Sequence, residues 1–117
     1  MSDYSLIHNP RCSKSRQALA LLHAKKIEPE IILYLKDTLN KSELTTIIEK
    51  LGIEPRALLR KSEAEFKANN LNDDHFTDEE IIDFMVAYPK LIERPILMTQ
   101  NKAVIGRPPE AILTLID

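Results

Sequence analysis

One cysteine in 117 residues rules out an internal disulfide. No apolar run approaches the ~20 residues needed to cross a bilayer. The N-terminal stretch lacks the apolar core of a signal peptide, so a reducing cytoplasm is the expected compartment. Metal ligands are equally sparse. His8, His23, His75 and the lone Cys12 show none of the paired spacings of a zinc site, and no bound metal is expected. There is no internal repeat and no low-complexity linker, and the length fits a single domain over residues 1–117. With 16 basic against 18 acidic side chains the net charge is −2, and the acids are spread through the second half, so nothing favours nucleic-acid binding. One absence is local: from Tyr4 to Ile27 there is no Asp or Glu, while Arg11, Lys14, Arg16, Lys25 and Lys26 all fall there.

That basic window surrounds the cysteine. Residues 4–7 form an apolar run that predicts a strand, and residues 8–11 predict a loop, because Pro10 has no amide donor and disfavours helix at Asn9. From Ser13 onward Leu19, Leu21 and Leu22 recur at helical spacing. Cys12 therefore falls where a strand gives way to a helix. Unpaired backbone N–H groups and the positive end of the helix dipole meet there. Such a field, with basic neighbours, favours the thiolate, which is the nucleophilic form. A buried structural thiol is the competing reading, and the polar neighbours Asn9, Arg11, Ser13, Lys14 and Ser15 argue against it.

The rest of the chain supplies a frame. Residues 29–35 predict a buried strand, which completes a βαβ unit with parallel strands. Asn40 and Glu43 form a capping box for a helix whose apolar face is Leu44, Ile47, Ile48 and Leu51, a core stripe ended by Gly52. Residues 55–60 predict a short helix and residues 63–70 another turn or two. A second capping box, Thr77 with Glu80, opens a helix over 78–88 with Ile81, Ile82 and Met85 inward. Residues 91–99 and 103–105 predict an antiparallel hairpin, and residues 110–116 a last helix. The order βαβ, helices, ββα defines an α/β fold, a thioredoxin-like mixed sheet with a helical insertion over about residues 40–88. By analogy with that fold, the Arg94–Pro95 bond should be cis and close to Cys12.

Several motifs in order resemble the glutaredoxin-linked arsenate reductase family. They are Ile7-His8-Asn9-Pro10-Arg11-Cys12-Ser13-Lys14-Ser15-Arg16, Ile32-Leu33-Tyr34-Leu35, residues 56–61 and 76–85, Leu91-Ile92-Glu93-Arg94-Pro95-Ile96, and Gly106-Arg107-Pro108. The resemblance covers essentially the whole chain. It is nearer to a shorter subgroup, because the family usually continues beyond the last helix with a polar tail and this chain stops at Asp117. It implies Cys12 as catalytic nucleophile and Arg60, Arg94 and Arg107 as oxyanion ligands. His8 and Ser15 are then polar groups that tune the thiolate. His8 would act by hydrogen bonding or as a cation near the sulfur, or simply make a structural hydrogen bond in the loop; Ser15 would donate to the sulfur or simply cap the helix. Of these, Arg60 rests on the resemblance alone. Arg16 and Arg56 read as surface residues, and His23 and His75 have no functional case.

The implied activity is reduction of arsenate to arsenite through a Cys12–arsenic adduct, with glutathione as co-substrate, glutaredoxin as partner and no bound cofactor. An external thiol is needed because Ser15 stands where a dithiol enzyme has its second cysteine. Two alternatives remain. One keeps the site and changes the substrate to another oxyanion or a disulfide. The other is a redox-sensing RNA polymerase adaptor of the same fold, against which the single thiol and the full arginine set weigh.

Overall fold

A computed structural model describes residues 3–116; the remaining positions of the expected 1–117 domain lie outside the described residues. The chain divides into two compact units. One comprises the residues up to 37 together with those from 94 onward, and the other is Thr38–Glu93.

The first unit holds β1 (Ser5–Ile7), α1 (Ser13–Ala24), β2 (Glu30–Ile32), β3 (Ile96–Met98) and β4 (Ala103–Ile105). They form a mixed sheet in the order β2-β1-β3-β4. β1 runs parallel to β2 and antiparallel to β3, with Leu6 opposite both Ile31 and Leu97, and β4 returns antiparallel to β3 with Val104 opposite Leu97. Side chains alternate across a strand, so Leu6, Leu97 and Val104 share one face. Ala18 and Leu22 of α1 and Ile112 from the C-terminal segment pack onto it and complete a buried core.

Three elements differ from the sequence-based expectation. The buried strand expected over 29–35 is short and at the sheet edge: β2 spans only Glu30–Ile32, with β1 on one side only and Ile31 40% exposed. Beyond it the Leu33 carbonyl accepts the amides of Lys36 and Asp37, which turns the chain and sends Tyr34 into the core. The strand expected over 91–99 contracts to Ile96–Met98, because Leu91 ends a 3-10 turn (Pro89–Leu91); the Arg94–Pro95 bond ahead of the strand is cis. The last helix is 3-10 rather than α over Pro109–Leu115. Pro108 and Pro109 withhold amide donors from its first turn, and the Ala111 amide closes an i→i+3 bond on the Pro108 carbonyl.

A second cis bond, Arg107–Pro108, follows Gly106. The Gly106 amide donates to the Pro95 carbonyl at 2.8 Å, so the two proline segments lie against each other. A Cβ on Gly106 would stand 2.8 Å from Pro95 Cγ and 3.1 Å from Ile112 Cγ2. Gly106→Ala is therefore expected to destabilise the fold by about 1–3 kcal/mol through overpacking, read as a lower urea midpoint. An unchanged midpoint would show that the Pro95 ring yields freely.

The second unit is helical: α2 (Lys41–Leu51), α3 (Ala64–Ala68) and α4 (Asp78–Ala87), with a 3-10 turn at Pro55–Leu58. Both capping boxes form. Glu43 N donates to Asn40 Oδ1 at 2.8 Å and Asn40 N to Glu43 Oε1 at 3.0 Å, and Thr77 and Glu80 repeat the exchange before α4. Gly52 takes a left-handed φ of 67° and ends α2. Leu44, Ile47 and Ile48 are buried, as are Ile81, Ile82 and Met85 of α4, against which α2 packs. Arg56 is no idle surface residue. Its guanidinium donates to the Leu71 carbonyl at 2.9 Å and to the Asp73 carbonyl at 2.5 Å, pinning the loop that leads to α4. Among the described residues no helix is long and apolar enough to cross a membrane.

Candidate active site

The loop between β1 and α1 is held by its own short polar residues. Asn9 is buried, its carbonyl accepts the Cys12 amide at 3.0 Å, and its Oδ1 accepts the Arg11 amide at 3.0 Å. Arg16 Nη1 donates back to the Pro10 carbonyl at 3.1 Å. These bonds fix Cys12 as the residue immediately before α1, in extended conformation and partly exposed.

Two influences compete on its thiol. Burial, the largest single effect, raises the pKa. The Ser15 amide, the charge and hydrogen bonding of Arg94, and the Lys14 amide lower it, and together they win, so the thiol lies below its ordinary value of 9.0. The two amides are those a helix leaves unpaired in its first turn. Arg94 enters from the residue before Pro95. From the other proline segment Arg107 Nη2 reaches Cys12 Sγ in a long contact of 3.9 Å, while its Nε donates to the Arg94 carbonyl at 2.9 Å. Cys12, Arg94 and Arg107 thus come together although they are distant in sequence.

His8 makes a structural hydrogen bond within the loop, and Ser15 is its partner. Ser15 is fully buried; its Oγ accepts the Asn9 amide at 3.0 Å and shares a 2.6 Å hydrogen bond with His8 Nδ1. Its hydroxyl is committed beneath the loop, and only its backbone amide acts on the sulfur. Burial pushes the His8 pKa below 6.5, which disfavours the cation. A folded-state pKa below the unfolded one means the unfolded chain binds more protons in that interval. Stability therefore falls as pH drops below about 6.5 and is regained on raising it. Thermal melts should show this slope in the native chain and a flatter one in His8→Gln. Equal slopes would remove His8 as the titrating group.

Arg60 lies in the second unit. Its side chain is only 17% exposed, and its Nε is 3.6 Å from a carboxylate oxygen of both Glu63 and Glu93. The motif-level reading of the sequence missed Asn9, Arg16 and Gly106, whose work is to shape the loop and the approach of the arginines. A polar residue ahead of Pro10 and a glycine ahead of Arg107-Pro108 were the available signals. Among the described residues no cluster of three or more His, Cys, Asp or Glu side chains is placed to hold a metal.

A single thiol before a helix, with two arginines brought in on cis-proline segments beside a mixed sheet, defines a one-cysteine protein of thioredoxin-like fold. Residues 7–115 match the ArsC family model. Protein YfgD of Escherichia coli K12 is 44% identical over 112 residues, covering 95% of this chain and 94% of its own length. An arsenate reductase of Escherichia coli is 40% identical over 116 residues, covering 99% of this chain and 82% of its own. The solved arsenate reductase from Vibrio cholerae superposes with a TM-score of 0.94 at 41% identity, covering 97% of each chain. The chain belongs to the ArsC family.

Proposed function

We propose that this protein is an arsenate reductase with Cys12 as its nucleophile. The observation that carries the reading is the convergence of Arg94 and Arg107 on a thiol whose pKa is lowered. Arsenate is a tetrahedral anion, and fixed guanidinium forks suit its oxygens. The relatives named as arsenate reductases support the same substrate. Arg60 is the third oxyanion ligand in this reading, on the family resemblance. His8 and Ser15 are positioning residues that hold the loop under Cys12. Residues 1–117 act as one domain, with the helices at about 40–88 inserted.

The Cys12 thiolate attacks arsenic, a protonated oxygen leaves as water, and a Cys12–S–As(V) adduct forms. The arginines stabilise charge on the remaining oxygens. Glutathione then adds to arsenic through its sulfur, with loss of a second water. A glutaredoxin thiolate attacks that glutathione sulfur and forms the mixed disulfide. The electron pair of the broken As–S bond stays on arsenic, which becomes trivalent. Water finally releases arsenite and returns the Cys12 thiolate. Both external thiols require a reducing compartment, and the cytoplasm fits that need.

A coupled assay tests this: arsenate-dependent NADPH oxidation with glutathione, glutaredoxin and glutathione reductase. Turnover that needs every component is the expected result. No turnover by folded protein with a reactive Cys12 would overturn arsenate as substrate and favour another oxyanion.

A further inference from the structure

Two carboxylates already surround Arg60 in the helical unit, and the backbone delivers each of them separately. Leu59 and Ile92 form an isolated antiparallel bridge. On its two sides the Arg60 amide donates to the Leu91 carbonyl at 2.7 Å and the Glu93 amide to the Leu58 carbonyl at 2.9 Å. This pairing sets Glu93 beside Arg60. From the other direction the Glu63 amide donates to the Arg60 carbonyl at 3.3 Å, a turn that folds Glu63 back to the same side chain.

Both carboxylates meet the inner nitrogen, Nε, each at 3.6 Å, in ion pairs too long to be hydrogen bonds. Nη1 is buried and has no hydrogen-bond partner among the described residues. The Arg60 side chain is 17% exposed and each glutamate 24%, so their attraction is screened less than at an open surface. A solvated arginine samples many rotamers, and ordering it on an anion costs entropy. We propose that Glu63 and Glu93 are positioning residues for Arg60: together they hold its guanidinium by Nε and leave the outer nitrogens for a tetrahedral oxyanion. The inference rests on the reading of Arg60 as an oxyanion ligand. Two carboxylates on one cation give the cluster a net negative charge, which by itself repels an anion. They sit at the Nε end, however, so an oxyanion on the outer nitrogens is nearer to the guanidinium than to either carboxylate. Nη1, a buried donor, gains a partner when a ligand oxygen arrives.

The test uses sulfate, an unreactive tetrahedral oxyanion, and the full-length protein. Glu63→Gln/Glu93→Gln keeps the side-chain size and removes both charges, and sulfate affinity is expected to fall about tenfold. In turnover the KM for arsenate should rise by a similar factor, while the KM for glutathione and the pH profile of Cys12 alkylation stay unchanged. Solvent exchange of the Arg60 Nε proton, followed by NMR, should accelerate. Each single variant leaves Arg60 one carboxylate and should show a smaller loss, which carries the test if the double variant does not fold. In an Arg60→Gln background, removing the carboxylates should cause no further loss of sulfate affinity. Unchanged affinity, tighter binding once the carboxylates are gone, or an equal loss in the Arg60→Gln background would each overturn the proposal. If arsenate is not the substrate, turnover fails in the native chain as well, while sulfate affinity and Nε exchange still decide the role of the glutamates.

Discussion

Cys12→Ser is expected to reduce arsenate turnover to background, a loss on the order of 10⁴-fold or more, the scale on which removal of a covalent nucleophile is felt. The amides of Lys14 and Ser15 and the Arg94 guanidinium lower the pKa of a thiol, a group that ionises far more readily than an aliphatic alcohol. The same field acting on an aliphatic alcohol leaves it protonated, and the As–S adduct has no counterpart from which glutathione could continue. The fold has little reason to change. Serine is a preferred residue before a helix, Cys12 makes no side-chain cap bond that the change would remove, and Cys12 is only partly buried. Stability should stay within about 0.5 kcal/mol of the native chain. The coupled assay and a melting curve on one preparation check both halves. Substantial turnover by a folded Cys12→Ser protein would remove Cys12 from the mechanism.

How much of this was legible in the sequence depended on the range of the interaction. The cysteine at a strand-to-helix junction, the two capping boxes and the apolar stripe of α2 are local patterns, and each is found where the residues indicate. The extent of β2 was not legible. A run such as Ile31-Ile32-Leu33 carries no mark of whether a second strand lies alongside it, and here it has a neighbour on one side only. Proline content hinted at the irregular last segment without deciding between α and 3-10 bonding. Within the site, Arg94 and Arg107 came from the resemblance, and the hydrogen bond between the Gly106 amide and the Pro95 carbonyl shows why their proline neighbours matter: it docks one arginine-bearing segment on the other. The Ser15 hydroxyl was not legible, because sequence distance shows it one helical turn from Cys12 but not which way the hydroxyl turns. Two partners under the loop, His8 and the Asn9 amide, decide that.

Arg94→Ala should produce two linked effects. Arg94 lowers the thiol pKa both by its charge and by its hydrogen bond, so its loss leaves burial opposed only by the two amides, and the thiol pKa rises. The pH profile of Cys12 alkylation by iodoacetamide should then move to higher pH. The linkage sign is fixed. A thiol pKa depressed in the folded state contributes stability that is fully present above the unfolded value near 9.0 and is lost as pH falls through the folded value. Arg94→Ala narrows that window, so the rise of stability with pH across it becomes smaller. The second effect is on arsenate. Losing one or two charge-assisted hydrogen bonds costs about 1.5–3 kcal/mol, or roughly 10- to 150-fold in kcat/KM. Arg94→Lys separates the two, since it keeps the charge and gives up the planar fork. It should retain much of the lowered thiol pKa and still lose affinity for arsenate. Arg107→Ala is the useful contrast, because Arg107 is exposed and reaches the sulfur only at 3.9 Å. It should weaken arsenate binding with a much smaller shift in the alkylation profile. If Arg94→Ala leaves both the profile and kcat/KM where they were, the convergence of arginines on Cys12 has no part in the chemistry.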